Sequence, residues 1–147
     1  MNSSTVLFGL TFTPASFVAL YLLKMQKFDL RVFVHNHHLL GAEKNEAPVI
    51  KCHYKQDEIN VMREFCESLN IPIVIEDKVD EFEESIMGCW VADLLVQRKS
   101  RHCMRCFEFR MSSLYQKMIE LSCDFISTGH YAKILTSEIE EGSTLSF

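Results

Sequence analysis

Four short apolar runs, Thr5–Thr11, Leu30–Val34, Ile73–Glu76 and Phe125–Thr128, alternate along this chain with longer segments whose apolar residues recur at helical spacing. No other feature of the sequence restricts the fold as strongly. Strands that are apolar on both sides need cover on both faces, and strand–helix–strand units join parallel neighbours through right-handed crossovers. The pattern predicts an α/β domain with helices on both faces of a parallel sheet of about four or five strands. The strand starting at Thr5 is expected at the centre, beside the one starting at Phe125, with neither at an edge.

Pro14 suits the first turn of a helix, where its missing N–H costs nothing, and Phe17, Leu20, Tyr21 and Met25 follow at helical spacing. Tyr54 to Leu69 reads as an amphipathic helix with Ile59, Met62, Phe65, Cys66 and Leu69 on one face. Asp80 to Gln97 reads as one long helix with Phe82, Ile86, Cys89, Trp90 and Leu94 inward. Phe107 to Ser122 reads as another, with Met111, Leu114, Tyr115, Met118 and Leu121 inward. The domain is expected to span 1–136, and the polar tail 137–147 to be poorly ordered.

With 147 residues the chain is long enough for one domain with a real core. A net charge of −5 excludes a general polycation, so any nucleic-acid surface must be a local patch. Arg98, Lys99, Arg101, Arg105 and Arg110, against Glu108 alone, form the candidate. A solvated helix face would show the same charge run. No apolar run is long enough for a membrane-spanning helix, and the N-terminus lacks the basic start of a signal peptide. Those two readings, with six cysteines, point to reduced thiols in a cytoplasmic setting and to no membrane partner. Cys66, Cys89 and Cys123 fall on apolar faces and read as core filler. The connection from His35 to His53 holds His35, His37, His38, Cys52 and His53, but their spacing matches no closed zinc pattern, and no metal site is assigned.

The segment Arg98-Lys99-Ser100-Arg101-His102-Cys103-Met104-Arg105-Cys106 places two cysteines three apart among cations, just before the helix expected from Phe107. Helix-start N–H groups and positive charge both favour a thiolate, the form that attacks electrophiles. Cys106, in the first turn of that helix, is expected to be the more reactive, with Cys103 further from its start. Asp124-Phe125-Ile126-Ser127-Thr128-Gly129-His130-Tyr131 carries a buried strand out into a loop, and open parallel sheets bind ligands beyond the carboxyl ends of their strands.

Cys103-x-x-Cys106, an aromatic-rich helix, then Thr128-Gly129-His130-Tyr131-Ala132-Lys133-Ile134 resembles the tRNA 2-thiouridylases, over about Val6 to Ile134. These are sulfurtransferases built on the N-type ATP pyrophosphatase (PP-loop) domain, an adenine nucleotide alpha hydrolase-like fold. The resemblance implies Cys106 as the catalytic nucleophile, with Cys103 as a local second thiol, and places Gly129 and His130 beside an ATP site. It implies tRNA as substrate, with the uridine C2 oxygen activated by adenylation and displaced by sulfur carried as a persulfide. A sulfur-carrier protein, and a companion chain bearing the family's later domains, are the further partners it implies. Two cysteines alone do not make an iron–sulfur site.

The family's phosphate loop reads Ser-Gly-Gly-x-Asp-Ser, and here the matching residues are Thr11-Phe12-Thr13-Pro14-Ala15-Ser16. Thr11 and Ser16 keep the two hydroxyls and are the remaining nucleotide-binding candidates. Phe12 and Thr13 replace glycines that let backbone N–H groups approach a pyrophosphate, and Ala15 replaces the carboxylate. Phe12 is expected to fill part of the phosphate space, which speaks against binding of ATP with magnesium. Three readings stand: a short or split thiouridylase, a non-catalytic PP-loop relative that binds tRNA or a partner chain, and a thiol redox or metal module.

Overall fold

The computed structural model describes residues 4–36, 54–99, 101–136 and 143–146; for 102, 103, 133–136 and 143–146 it describes the backbone. Strands β1 (Thr5–Gly9), β2 (Asp29–Asn36), β3 (Ile73–Asp77) and β4 (Phe125–Thr128) form one sheet in the order β3-β2-β1-β4. All its pairings are parallel, and Val6 faces Phe125 on one side and Leu30 on the other. The sheet, its direction and the β1–β4 neighbourhood are those expected. The place of β4 is not: among the described residues it is an edge strand, and Phe125 is 57% exposed. Phe125 is apolar because of the face it occupies, and the sequence alone cannot tell such a residue from one covered by a further element.

Helices α1 (Pro14–Met25) and α2 (Gln56–Ser68) cover one face. Val6, Phe8, Val32 and Val34 meet Leu20, Ile59, Met62 and Cys66 there, with Phe17 and Phe65 in edge-to-face contact at 5.0 Å. Leu7 and Phe33, pointing the opposite way, pack with Leu114, Met111 and Met118 of α5 (His102–Glu120) on the other face. The alternation of Val6, Leu7 and Phe8 between the two cores is the period-two geometry of a strand buried on both sides.

The ends of the sheet are pinned by reciprocal bonds. The Thr5 N–H donates to the Asp124 carboxylate at 2.8 Å, and the Asp124 N–H donates to the Thr5 carbonyl at 2.8 Å. Arg31 Nη1 donates to the Leu121 carbonyl at 2.7 Å, satisfying an orphan acceptor at the end of α5. Lys27, Asn70, Gln97 and Ser122, each the second residue past a helix, take positive φ, the left-handed stop usually filled by glycine.

The long helix expected over Asp80–Gln97 is three pieces: α3 (Val79–Phe82), a π turn (Glu83–Met87) and α4 (Gly88–Leu95). Phe82 and Ile86 are buried as expected, but the wider turn shifts the register beyond it, and Leu94 faces solvent. Tyr115, also expected inward, is exposed on α5. Beyond β4, a hairpin pairs β5 (Lys133–Thr136) antiparallel with β6 (Ser143–Ser146), so the segment drawn as a tail from 137 contributes a strand. The candidate loop residues His37, His38, Cys52 and His53 lie outside the described residues. No helix of the described residues is long and apolar enough to cross a membrane.

Candidate functional site

The carboxyl ends of β1 and β4 open onto the start of α1, the loop after β4 and the first turns of α5. Thr13 caps α1: its hydroxyl accepts from the Ser16 N–H at 3.3 Å, and Pro14 occupies the position behind it. Ser16 Oγ turns back and accepts from the Thr11 N–H at 3.0 Å, while the Thr11 and Thr13 hydroxyls lie 3.2 Å apart. These three hydroxyls and two N–H groups hydrogen-bond among themselves. Ser16 is 0% exposed, and Gly129 closes over it: a Cβ on Gly129 would stand 2.6 Å from the Ser16 Cα.

A PP-loop domain implies ATP with magnesium, and these residues do not fit a triphosphate. Anion binding at a helix start needs N–H groups that point at the ligand, and here the Ser16 N–H of the first turn is held by the Thr13 side chain, while the Thr11 N–H of the preceding loop is held by Ser16. Ser16, nominated for the nucleotide, is sealed from it. Phe12 takes a different part from the one expected. Its ring meets Phe17 edge-on at 5.7 Å and joins the core between α1 and α2. The obstacle is the closed hydrogen-bond ring with Gly129 above it.

On the other side of the opening, Thr128 Oγ1 and His130 Nδ1 are hydrogen-bonded at 2.8 Å. Phe107 of α5 meets the His130 ring edge-on at 5.7 Å. The aromatic contact brings the helix that carries both cysteines onto the Gly129-His130 loop through Phe107. Phe107 was not singled out from the sequence; it lies 23 residues from His130, and no local pattern marks such a contact.

The start of α5 corrects the expected order of the cysteines. The helix begins at His102, not at Phe107. Cys103 is therefore in the first turn and Cys106, half-buried, in the second. The helix-start argument for a thiolate now favours position 103, because the effect falls off within the first turn. Cys66 and Cys123 are buried, as core filler should be, whereas Cys89 is half-buried. Burial pushes the Cys66 thiol up to about 11, with the Glu67 charge adding to it, and burial raises the Cys123 thiol as well.

The cationic candidates divide. Arg98, Lys99 and Arg101 are exposed at the turn between α4 and α5. Arg105 pairs with Asp93 of α4 at 3.6 Å, and Arg110 Nη2 donates to the Tyr54 hydroxyl at 3.2 Å. Those two guanidiniums hold elements together as well as carrying charge. Among the described residues no group of three or more His, Cys, Asp or Glu side chains is placed to hold a metal ion.

Residues 4–146 match the family model described as the tRNA methyl transferase HUP domain. The chain belongs to this family. It is 31% identical over 148 aligned positions to the tRNA-specific 2-thiouridylase MnmA 1 of Clostridium tetani (strain Massachusetts / E88), covering 97% of this chain and 37% of that protein. It is 27% identical to the tRNA-specific 2-thiouridylase MnmA of Clostridium beijerinckii (strain ATCC 51743 / NCIMB 8052), covering 88% of this chain and 36% of that protein. The chain thus spans little more than a third of these relatives and corresponds to the N-terminal portion of the family. Among solved structures, the NH3-dependent NAD synthetase from Campylobacter jejuni subsp. jejuni NCTC 11168 in complex with the nitrate ion aligns with a TM-score of 0.48 and 15% identity, over 88% of this chain and 59% of that one.

Proposed function

We propose that this chain is the sulfur-bearing part of a tRNA 2-thiolation system, with Cys106 carrying the sulfur and the exposed Arg98, Lys99 and Arg101 meeting the tRNA backbone. The observation that carries the reading is the Phe107–His130 contact, which sets the cysteine helix at the mouth of the β1–β4 opening. The names of the thiouridylase relatives supply the substrate class.

In this reading a persulfide on Cys106 presents its terminal sulfur to C2 of a uridine whose C2 oxygen has been activated as a leaving group. The C–S bond forms, and the activated oxygen departs with its electron pair. The Cys103 thiolate then attacks Cys106 Sγ; the Cys103–Cys106 disulfide forms as the sulfur leaves on the base with its electrons. A dithiol reductant then returns the Cys103–Cys106 disulfide to two thiols, and a sulfur-carrier protein bearing a persulfide passes its outer sulfur to the Cys106 thiolate, leaving its own thiol, in a cytoplasmic setting. Activation of the C2 oxygen is assigned to no residue of the Thr11–Ser16 loop, whose groups are satisfied internally. A companion chain bearing the family's later domains is the further partner in this reading, and it holds the tRNA.

The test is to incubate the reduced protein with inorganic polysulfide and map the products by mass spectrometry. Sulfur added at Cys106, lost in Cys106→Ser and absent from Cys66 and Cys123, supports the reading. Sulfur spread equally over all cysteines, or absent from Cys106, overturns it. The second reading is a non-catalytic relative retained for binding, and the sealed Ser16 is the observation in its favour.

A further inference from the structure

Three exposed rings lie together beyond the carboxyl end of β4. Phe107 is 52% exposed, Tyr131 is 87% exposed, and His130 is exposed as well. The Phe107 and His130 rings meet edge-on at 5.7 Å, and Tyr131 follows His130 directly in the chain. A single apolar side chain in water is ordinary on any protein surface. Two aromatics in water on either side of one histidine, with Cys106 next in the chain to one of them, are a grouping that packing does not explain.

The loop that carries His130 and Tyr131 is held in place. Gly129 packs on the Ser16 backbone, and Thr128 Oγ1 and His130 Nδ1 are hydrogen-bonded at 2.8 Å. A surface fixed before its ligand arrives gives up little freedom on binding. Cations stand within reach. Arg101 caps the start of α5, and Phe107 follows after a helical rise of about 9 Å. Arg98, Lys99 and Arg101 are all exposed.

The chemistry of the proposed step says what such a surface is for. C2 of a uridine is trigonal, with its substituents in the ring plane, so sulfur must approach across the face of the base. A base stacked between two neighbours has no open face, and enzymes that act on a base take it out of the stack. The face turned away from the sulfur, and the neighbours left behind, then need new cover. We propose that Phe107 and Tyr131 are a stacking platform for the unpaired bases of a single-stranded RNA loop, with Arg98, Lys99 and Arg101 on its phosphates. Aromatic faces accept any base, and cations follow the backbone, so the platform selects an unpaired strand and not a sequence. The inference rests on the tRNA 2-thiolation reading and adds the form of RNA accepted and the side chains that hold its bases.

The experiment measures, by fluorescence anisotropy at several salt concentrations, binding of the full chain to a labelled single-stranded oligoribonucleotide of about ten residues with a central uridine, and to the same strand paired with its complement. The single strand is expected to bind about tenfold or more tighter than the duplex. Tyr131→Ala and Phe107→Ala should each weaken it by about 5- to 150-fold, the loss of one stacked base, while Tyr131→Phe binds like the wild type. Neither alanine variant should change the slope of log affinity against log salt, whereas Lys99→Ala should reduce it by about 0.7. Tyr131 stands almost wholly in water, so the thermal midpoint of Tyr131→Ala should equal that of the wild type and its lost binding is not unfolding. The inference is overturned if either alanine variant binds like the wild type, if the duplex binds as well as the single strand, or if Tyr131→Phe loses as much as Tyr131→Ala. It is overturned equally by self-association of the chain that Tyr131→Ala abolishes. RNA binding that survives both alanine changes leaves the cationic contacts of the 2-thiolation reading standing, whereas no RNA binding by the wild type overturns both. Polysulfide loading of Cys106 is read separately from all of these.

Discussion

Gly129 lies against the backbone of Ser16, so that a Cβ at 129 would stand 2.6 Å from the Ser16 Cα and 3.0 Å from the Ser16 N. The contact locks the loop after β4 onto the first turn of α1. It also encloses the Ser16 hydroxyl, which accepts from the Thr11 N–H. Backbone cannot step aside as a flexible side-chain tip can. Gly129→Ala is therefore expected to lower stability by about 1–3 kcal/mol, the range of an overpacked site. Urea unfolding of the two proteins measures it; equal midpoints would mean that the approach is looser than described.

The same closed ring predicts weak nucleotide binding. Titration of Mg-ATP into the wild-type protein in a calorimeter should give no saturable heat up to about 1 mM. A dissociation constant in the low micromolar range would show that the Thr11–Ser16 ring opens to admit the phosphates.

Much of this arrangement was legible in the sequence, and for a physical reason. Strands buried on both faces are apolar throughout, so β1 and β2 announce a covered parallel sheet. Pro14 marks the start of α1 because only a first-turn position tolerates it. The start of α5 was not legible. Arg101 makes no side-chain cap and the first turn holds no acid, so neither usual signal of a helix start is present. The cysteine pair, expected just before and in the first turn of a helix from Phe107, lies inside a helix that begins at His102, while Arg98, Lys99 and Arg101 belong to the turn before it. The exposure of Phe125, Tyr115 and Leu94 was equally hidden, because periodicity reports which residues are apolar and not which neighbours arrive to cover them. The nominated Arg105 and Arg110 carried no sign of Asp93 and Tyr54, partners set by tertiary packing.

Among the described residues, four helix stops with positive φ and no glycine leave room for stabilisation. Ser122, at φ 52, follows α5 and precedes the buried Cys123. An L-residue in the left-handed region costs about 1–2 kcal/mol, and glycine removes that cost while adding freedom to the unfolded chain. Ser122→Gly is expected to raise stability by about 0.5–1 kcal/mol, read as a higher urea midpoint at unchanged slope. A lower midpoint would show that the Ser122 side chain makes a contact worth more than the strain.

Lys117 of α5 contacts the carboxylates of Glu76, on β3, and Glu120, and its side chain is 13% exposed. The hydrogen bonds to Glu120 and Glu76 raise the Lys117 ammonium above the usual lysine range, against a smaller opposing effect of burial. A raised lysine contributes stability that is fully present below its unfolded value of about 10.4 and is lost as pH climbs through the folded value. Lys117→Met is therefore expected to cost about 1–2 kcal/mol at neutral pH, with the difference from wild type shrinking above about pH 10.4. Urea melts at neutral and alkaline pH check it, and a difference that stays constant would assign the loss to packing.

The cysteines provide the last prediction, now changed in order. Cys66 is buried beneath α2 with its thiol pushed up to about 11, so between neutral pH and about pH 9 its thiolate fraction stays small and its access is poor. Cys123 is buried with its thiol raised by the same cause. Cys103 has the first turn of α5, and Cys106 is half-buried one turn later beside the Arg105–Asp93 pair. Iodoacetamide at neutral pH should label Cys103 and Cys106 ahead of Cys66 and Cys123 by about tenfold or more. Asp93→Asn should speed Cys106 further, because it leaves the Arg105 charge uncompensated beside the helix. Labelling of Cys66 as fast as Cys106 in the folded protein would show that α2 opens readily. An Asp93→Asn rate equal to wild type would show that Arg105 does not act on that thiol.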